Sequence, residues 1–258
     1  MPWLQTLGAW RMLSAELAPA RCEVCGVWPS VPSGQPVCGA CLDRFRPQGA
    51  RCSRCAQPLA APHAPCPSCR GQNGALAACV AALDYIYPWQ QLLHAFKFDG
   101  QPAWAGWFAQ RLWDLPEAAA QLQTADWWVP VPMTPHGLAQ RGYNQAWELA
   151  KALHHHRPPV AGGGFGPPRR HRSDLLVKLM DTPEQHHLNR AKRLANLQHA
   201  FAAAPLRAAE LQGRRVVLID DILTTGATLE AAAQALRAGG AADVSAVVVA
   251  RTPAPAES

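Results

Sequence analysis

The clearest pattern of apolar and polar positions runs from Val216 to Val249. Four consecutive apolar residues, Val216 to Ile219, mostly β-branched and preceded by Arg214 and Arg215, predict a strand buried on both faces, as in a parallel sheet. An Ala-rich stretch from Leu229 to Leu236, followed by Gly239 and Gly240, predicts a helix, and Val244 to Val249 predicts the next strand. Strand, loop, helix and strand in this order make an α/β unit, and ligands of open α/β sheets bind at the carboxyl ends of strands. Further upstream, Trp104, Trp107 and Leu112 fall on one helical face. Most of the aromatic residues between residues 76 and 128 are therefore expected in the core, with stacking on nucleic-acid bases as the alternative. The stretch from His154 to Pro168 breaks both periods with its Pro and Gly and is expected to be a mobile connection. Asp174 to Asn196 reads as a flexible arm with helical character that can close over a ligand.

From Cys22 to Cys69 there is almost no periodic apolar pattern, and another regularity takes over. Four Cys-x-x-Cys pairs occur: Cys22/Cys25, Cys38/Cys41, Cys52/Cys55 and Cys66/Cys69. Two thiolates three residues apart can face one ion, and two such knuckles complete a closed tetrahedral site, so eight cysteines supply two structural zinc sites. Sequential and cross-braced pairing both fit the spacing. Sequential pairing is favoured, because each half then closes its own loop. A segment this rich in Pro cannot build its own core, so metal binding would supply most of its folding energy. Cys79 stands apart and reads as a core thiol.

Composition narrows the class. With 49% apolar and 16% charged residues among 258, the chain can bury a core and is not a disordered polymer. No apolar run is long enough for a membrane span, and the amino terminus does not read as a secretion signal, so a cytoplasmic location is expected. Thiols stay reduced there, which favours metal over disulfides. The net charge of +6 is unevenly distributed: between Arg141 and Arg215, 13 Lys and Arg face five acids. Such a field suits a pyrophosphate or a nucleic-acid backbone, and composition does not separate them.

The loop after Ile219 carries the chemistry. Asp220 and Asp221 precede Thr224-Thr225-Gly226-Ala227-Thr228. Hydroxyls, a glycine that lets the backbone approach, and the free amides of a helix N-terminus make a phosphate cradle. The adjacent carboxylates are placed to accept from sugar hydroxyls. No Gly-Lys-Ser/Thr follows, so this is not a nucleoside-triphosphatase loop.

Val216 to Thr228 resembles the phosphoribosyl-pyrophosphate (PRPP) motif of type I phosphoribosyltransferases. Pro130-Val131-Pro132, Gln140-Arg141-Gly142-Tyr143-Asn144-Gln145-Ala146, Leu93 to Gly100, Gln185 with Arg190, Arg193, Asn196 and Phe201, and the cysteine-rich start together resemble the ComF family of competence-associated proteins. The resemblance implies a type I phosphoribosyltransferase-like α/β domain at residues 76–258, with a parallel sheet flanked by helices, behind a small zinc-binding module at residues 1–75. It implies that Asp220 and Asp221 face the ribose hydroxyls and that Thr224 to Thr228 hold the 5'-phosphate. Arg141 and Gly142 would lie near the pyrophosphate, with Lys97 either a phosphate contact or a solvated turn residue. PRPP would enter with magnesium. Two functions stay open: a phosphoribosyltransferase active in DNA uptake or nucleotide metabolism, and a non-enzymatic factor that binds single-stranded DNA beside the uptake machinery.

Overall fold

The computed structural model describes residues 21–28, 35–71, 74–159, 170–180 and 200–254. The chain forms two compact units, Met1–Pro47 and Gln48–Ser258. In the first, the short helix α1 (Gly39–Phe45) starts directly after Cys38 and buries Cys41. The other two cysteine pairs lie in the second unit, together with the α/β domain.

The second unit has strands β1 (Ala78–Asp84), β2 (Trp127–Pro130), β3 (Leu176–Lys178), β4 (Phe201–Ala203), β5 (Arg215–Leu223) and β6 (Asp243–Arg251). Four of them form a sheet in the order β1-β6-β5-β2, and all its pairings are parallel. β3 and β4 pair antiparallel as a separate two-stranded ribbon. The helices are α2 (Trp89–Phe98), α3 (Trp104–Trp113), α4 (Pro116–Thr124), α5 (Pro135–Arg141), α6 (Gln145–His155), α7 (Ala208–Leu211) and α8 (Ala227–Ala238).

β5 sits inside the sheet, between β6 and β2, and residues Val216 to Ile219 are buried without alternation, as the continuous apolar run requires. At about 1.5–3 kcal/mol for each such side chain, this run fixes the position of whatever follows it. The strand continues past the predicted four residues to Leu223, so both aspartates belong to it. α8 likewise begins two residues before Leu229, at Ala227, because Gly226 takes φ +82° and turns the chain directly into the helix.

The aromatic residues pack as expected. Trp89, Trp104, Trp107, Phe108, Trp113 and Trp128 are buried, with Trp89 and Trp107 ring centroids 5.7 Å apart and Trp113 and Trp128 6.0 Å apart. On the far side of β2, Trp128 donates to Arg170 O and accepts from Arg172 N, so residues 170–172 lie along the sheet margin.

Two expectations need correction. His154 and His155 end α6 instead of opening a loose connection, because the Leu149, Ala150 and Leu153 face of that helix is fully buried. The arm expected from Asp174 starts as strand β3, whose Leu176 is buried, and Phe201 lies in β4. Gln185, Arg190, Arg193 and Asn196 lie outside the described residues, as does the whole stretch 160–168.

Candidate functional site

The carboxyl end of β5 carries the two aspartates on adjacent positions, and their carboxylates are close enough to act on each other and on Lys97. Asp221 is 5% exposed, while Asp220 is more open. Burial first, and then the neighbouring Asp221 carboxylate, push the Asp220 carboxyl up to about 7, with Lys97 pulling the other way. Beyond Leu223 the loop Thr224-Thr225-Gly226 leads into α8, a helix of 12 residues. Thr224 is exposed, Thr225 and Thr228 are partly exposed, and Ala227 N lies 3.4 Å from Thr225 Oγ1. The first intrahelical bond is Glu230 N to Gly226 O, which leaves the amides of residues 227–229 at the helix start beside the threonine hydroxyls.

Lys97 stands in the last turn of α2, not in the turn after it, and its Nζ is 3.3 Å from Asp221 Oδ2. Burial works against its charge, but Asp221 and Asp220 outweigh that and hold the ammonium above the ordinary lysine value, with Arg141 opposing. Of the two readings of Lys97, the solvated one is not what the structure shows.

Arg141 ends α5, and Gly142 closes that helix at φ +79°, a conformation that glycine adopts without strain. The Arg141 guanidinium lies 5.1 Å from the centroid of the exposed Phe98 ring and its Nη1 is 3.4 Å from Gln145 Oε1. The rest of the motif explains how it comes to be there. Gln145 Nε2 donates to Lys97 O at 3.1 Å, Tyr143 OH donates to Phe96 O, and Asn144 Nδ2 donates to Val131 O at 3.0 Å while its Oδ1 caps α6. Tyr143, Asn144 and Gln145 therefore tie α2, the residue just after β2 and α6 together and bring Lys97, Arg141 and Asp221 to one place. Their spacing alone gave no sign of this role.

The cysteines gather as two groups of four, Cys22/Cys25/Cys38/Cys41 and Cys52/Cys55/Cys66/Cys69, each with its sulfurs within 4.8 Å of one another. This is the sequential arrangement. Zinc with bonds of about 2.3 Å would need sulfurs about 3.8 Å apart in a tetrahedron. The Cys25–Cys38, Cys52–Cys69 and Cys55–Cys66 sulfurs are 3.8, 3.9 and 3.6 Å apart, so both groups fit a metal ion. Although burial opposes ionisation, backbone amides of Cys38, Cys25 and Val24 directed at Cys22 pull its thiol down to about 6. Those of Arg54 and Cys55 lower Cys52 in the same way. Burial and the neighbouring sulfurs push Cys41, Cys55 and Cys69 the other way, so each group holds one sulfur favoured as the thiolate, the metal-binding form, beside others that are disfavoured. Cys79 is 1% exposed, and burial pushes its thiol up to about 12, as a core residue.

Comparison with known proteins accounts for the combination. The phosphoribosyl transferase domain family matches residues 178–258. The DNA utilization protein YhgH of Salmonella typhimurium is 30% identical over 91% of this chain and 98% of its own length. The chain belongs to the ComF family. Competence protein F of Haemophilus influenzae is 29% identical over 75% of the chain and 81% of its own length. A local likeness of 53% over 45 residues links 17% of the chain to 25% of the adenine phosphoribosyltransferase of Mycobacterium avium.

Several cations of this ComF member are engaged within its fold. Arg170 Nη1 donates to the carbonyls of Leu122 (3.4 Å) and Ala125 (2.8 Å), besides Gln123. Arg172 pairs with Asp174 at 2.8 Å and Glu210 at 2.5 Å, and those hydrogen bonds hold it well above the ordinary arginine value. Arg207 meets the same two acids, and Arg214 lies 3.4 Å from Asp126. Arg169 is outside the described residues. The basic stretch is thus partly neutralised locally. Among the described residues no helix is long and apolar enough to cross a membrane.

Proposed function

We propose that the protein binds PRPP, or a related ribose 5-phosphate ligand, at the carboxyl end of β5 and acts as a phosphoribosyltransferase in the handling of DNA or its nucleotides. The observation that carries this reading is the junction itself: a buried inner strand that carries Asp220-Asp221 near its carboxyl end, then a threonine loop that opens directly into the N-terminus of α8. Thr224, Thr225, Gly226, Ala227 and Thr228 would hold the 5'-phosphate with hydroxyls and the amides at the helix start. Asp220 and Asp221 would accept from the ribose hydroxyls, Asp220 as the more open of the two. Arg141, Gly142 and Lys97 would face the pyrophosphate. A nitrogen nucleophile attacks the anomeric carbon as its bond to pyrophosphate oxygen breaks, and the electron pair leaves with pyrophosphate. The protein supplies position and charge. Magnesium entering with PRPP would offset the charge of the leaving group. The two cysteine groups would each hold one structural zinc.

The names DNA utilization protein and competence protein favour a role in the use of incoming DNA. A non-enzymatic binder of single strands is the second reading. Arg170 and Arg172 serve it poorly, since their charges are engaged inside the fold.

Calorimetric titration of the zinc-loaded chain with PRPP and magnesium tests the proposal. Binding is expected, and the double substitution Asp220→Asn with Asp221→Asn should weaken it by at least about 100-fold, as expected when two charged hydrogen-bond acceptors are lost. A wild-type chain that binds no PRPP ends the reading. The pH profile is a sharper check. A carboxylate accepts from hydroxyls best when ionised, so with Asp220 at about 7 the affinity should rise about tenfold between pH 6 and pH 8. Asp220→Asn should remove this rise and keep only the part due to the ligand phosphate, which ionises near pH 6. Identical profiles in the two proteins would rule out Asp220 as the titrating group.

A further inference from the structure

Arg251 ends β6 and is 5% exposed. It stands opposite Leu223, the last residue of β5, in the sheet register. Its guanidinium bridges two places that the chain sequence keeps far apart. Nε donates to Cys55 O at 2.9 Å, inside the second cysteine group. Nη1 lies against Leu223 O at 2.9 Å, Thr252 O at 2.7 Å and Thr224 O, the first carbonyl of the threonine loop. One rigid fork therefore reads the backbone of a metal knuckle and the backbone of the phosphate cradle together.

A second connection runs parallel to it. Glu230, in the first turn of α8, accepts from Leu76 N at 3.4 Å and from Ala75 N, just past the fourth cysteine pair. A Cβ built on Gly74 would lie 2.4 Å from Glu230 Oε2 and 2.6 Å from Arg54 Nη2, so the knuckle arginine between Cys52 and Cys55 reaches the same spot. Cys55 and Cys69 on one side, and Thr225 and Gly226 on the other, line a single cavity with Arg54 and Arg251. The threonine loop thus has two fastenings: its start is tied to the second cysteine group through Arg251, and the helix it enters is tied through Glu230 to Ala75 and Leu76, beyond the last cysteine of that group.

We propose that Arg251 couples these two sites, so that metal in the second cysteine group sets the shape of the threonine loop and with it the affinity for a 5'-phosphate ligand. Arg251 is a positioning residue here: it acts through the Leu223 and Thr224 carbonyls and touches no ligand itself. The knuckle from Cys52 to Cys55 keeps the Cys55 carbonyl in place only while its sulfurs share an ion. Once the ion leaves, the guanidinium loses a fixed acceptor and the loop loses one of its two fastenings. The proposal rests on the phosphate-binding reading above. Loss of this metal, by chelation or thiol oxidation, would then lower ligand affinity although neither Asp220 nor Asp221 belongs to the cysteine group.

Coupling between two binding equilibria is reciprocal, and that gives a test in which no turnover is measured. The full zinc-loaded chain is titrated with a colorimetric zinc chelator, with and without saturating PRPP and magnesium. Cys22→Ser, which breaks the first group, identifies the ion held by the second. PRPP should raise the chelator concentration that removes half of that ion by about tenfold, within the usual range for coupled sites, and leave the first ion unchanged. Arg251→Met should still bind PRPP more weakly and show no such shift; Arg251→Lys, which keeps the charge without the fork, should show a reduced one. PRPP binding to the wild type with no protection of the second ion overturns the coupling and leaves the phosphate-binding reading intact. Protection that persists in Arg251→Met shows that the route does not pass through this residue, and it too overturns the proposal. If the wild type binds no PRPP, both readings fall together.

Discussion

Replacing Lys97 by methionine is expected to destabilise the second unit by about 3 kcal/mol, because it leaves an unpaired carboxylate in the interior. Asp221 has a side chain only 7% exposed and Lys97 one 22% exposed, 3.3 Å apart, so neither partner has water as a ready substitute. Asp220 on the next residue makes the position worse, since two adjacent carboxylates without a cation repel each other. For a unit of this size about 3 kcal/mol corresponds to a fall in midpoint of about 6–12 °C. Adding Asp221→Asn to Lys97→Met removes the stranded charge and should restore most of the loss, giving a coupling of at least about 1 kcal/mol in a double-mutant cycle. Urea unfolding of the four proteins measures it. Additive effects would mean that the pair contributes nothing beyond its separate parts. The outcome bears on function as well, since Lys97 then orients Asp221 before any ligand arrives.

Replacing Cys52 by serine should have a still larger effect. With one zinc in each cysteine group, as proposed, metal analysis should fall from two ions per chain to one, and the second unit should lose much of its cooperative unfolding. A structural zinc site contributes about 10–16 kcal/mol of binding free energy at neutral pH, comparable with the whole stability of an ordinary domain, about 5–15 kcal/mol. The loss would not stay within the knuckle. Cys79 N in β1 donates to Ser53 O at 2.8 Å, Arg51 pairs with Asp84 at 2.7 Å, and Gln57 bonds Thr252 O and Ala254 N at 3.2 and 3.1 Å. Those bonds hold the third cysteine pair against the ends of β1 and β6, so release of an ion held there would loosen both. Amide hydrogen exchange at residues 78–84 and 243–251 reports this directly. Unchanged protection there, with one ion missing, would show that the sheet stands without the metal.

Much of the site could be read from sequence, and the division between legible and hidden parts has a physical basis. Val216 to Thr228 was legible because strand, loop and helix are consecutive, and each declares itself by local periodicity or residue type. The cysteine pairs were legible because metal geometry fixes the spacing of their ligands. Lys97 was not: its partner lies 124 residues away, and a lysine before Asp99-Gly100 looks like a turn residue until helix α2 is docked. Arg251 was hidden for the same reason, since a cation at the end of a strand looks like a solvated one. Tyr143, Asn144 and Gln145 were visible as a motif, but three side chains that bond to main-chain carbonyls of other segments leave no pattern of their own. Charge counting misled most: Arg170, Arg172 and Arg207 add to a basic stretch on paper, yet in space they are met by carbonyls, Asp174 and Glu210.

The lateral boundary of the sheet also governs how the molecule behaves in a concentrated solution. β2 is the last strand on its side, and a bare apolar strand of this kind would recruit a strand from another molecule and seed aggregates. Trp128 has both of its outward main-chain groups taken by Arg170 O and Arg172 N. Pro130, two residues on and thus facing the same way, has no N–H to offer. The margin is therefore sealed against strand addition, and two molecules meeting there find no template to extend.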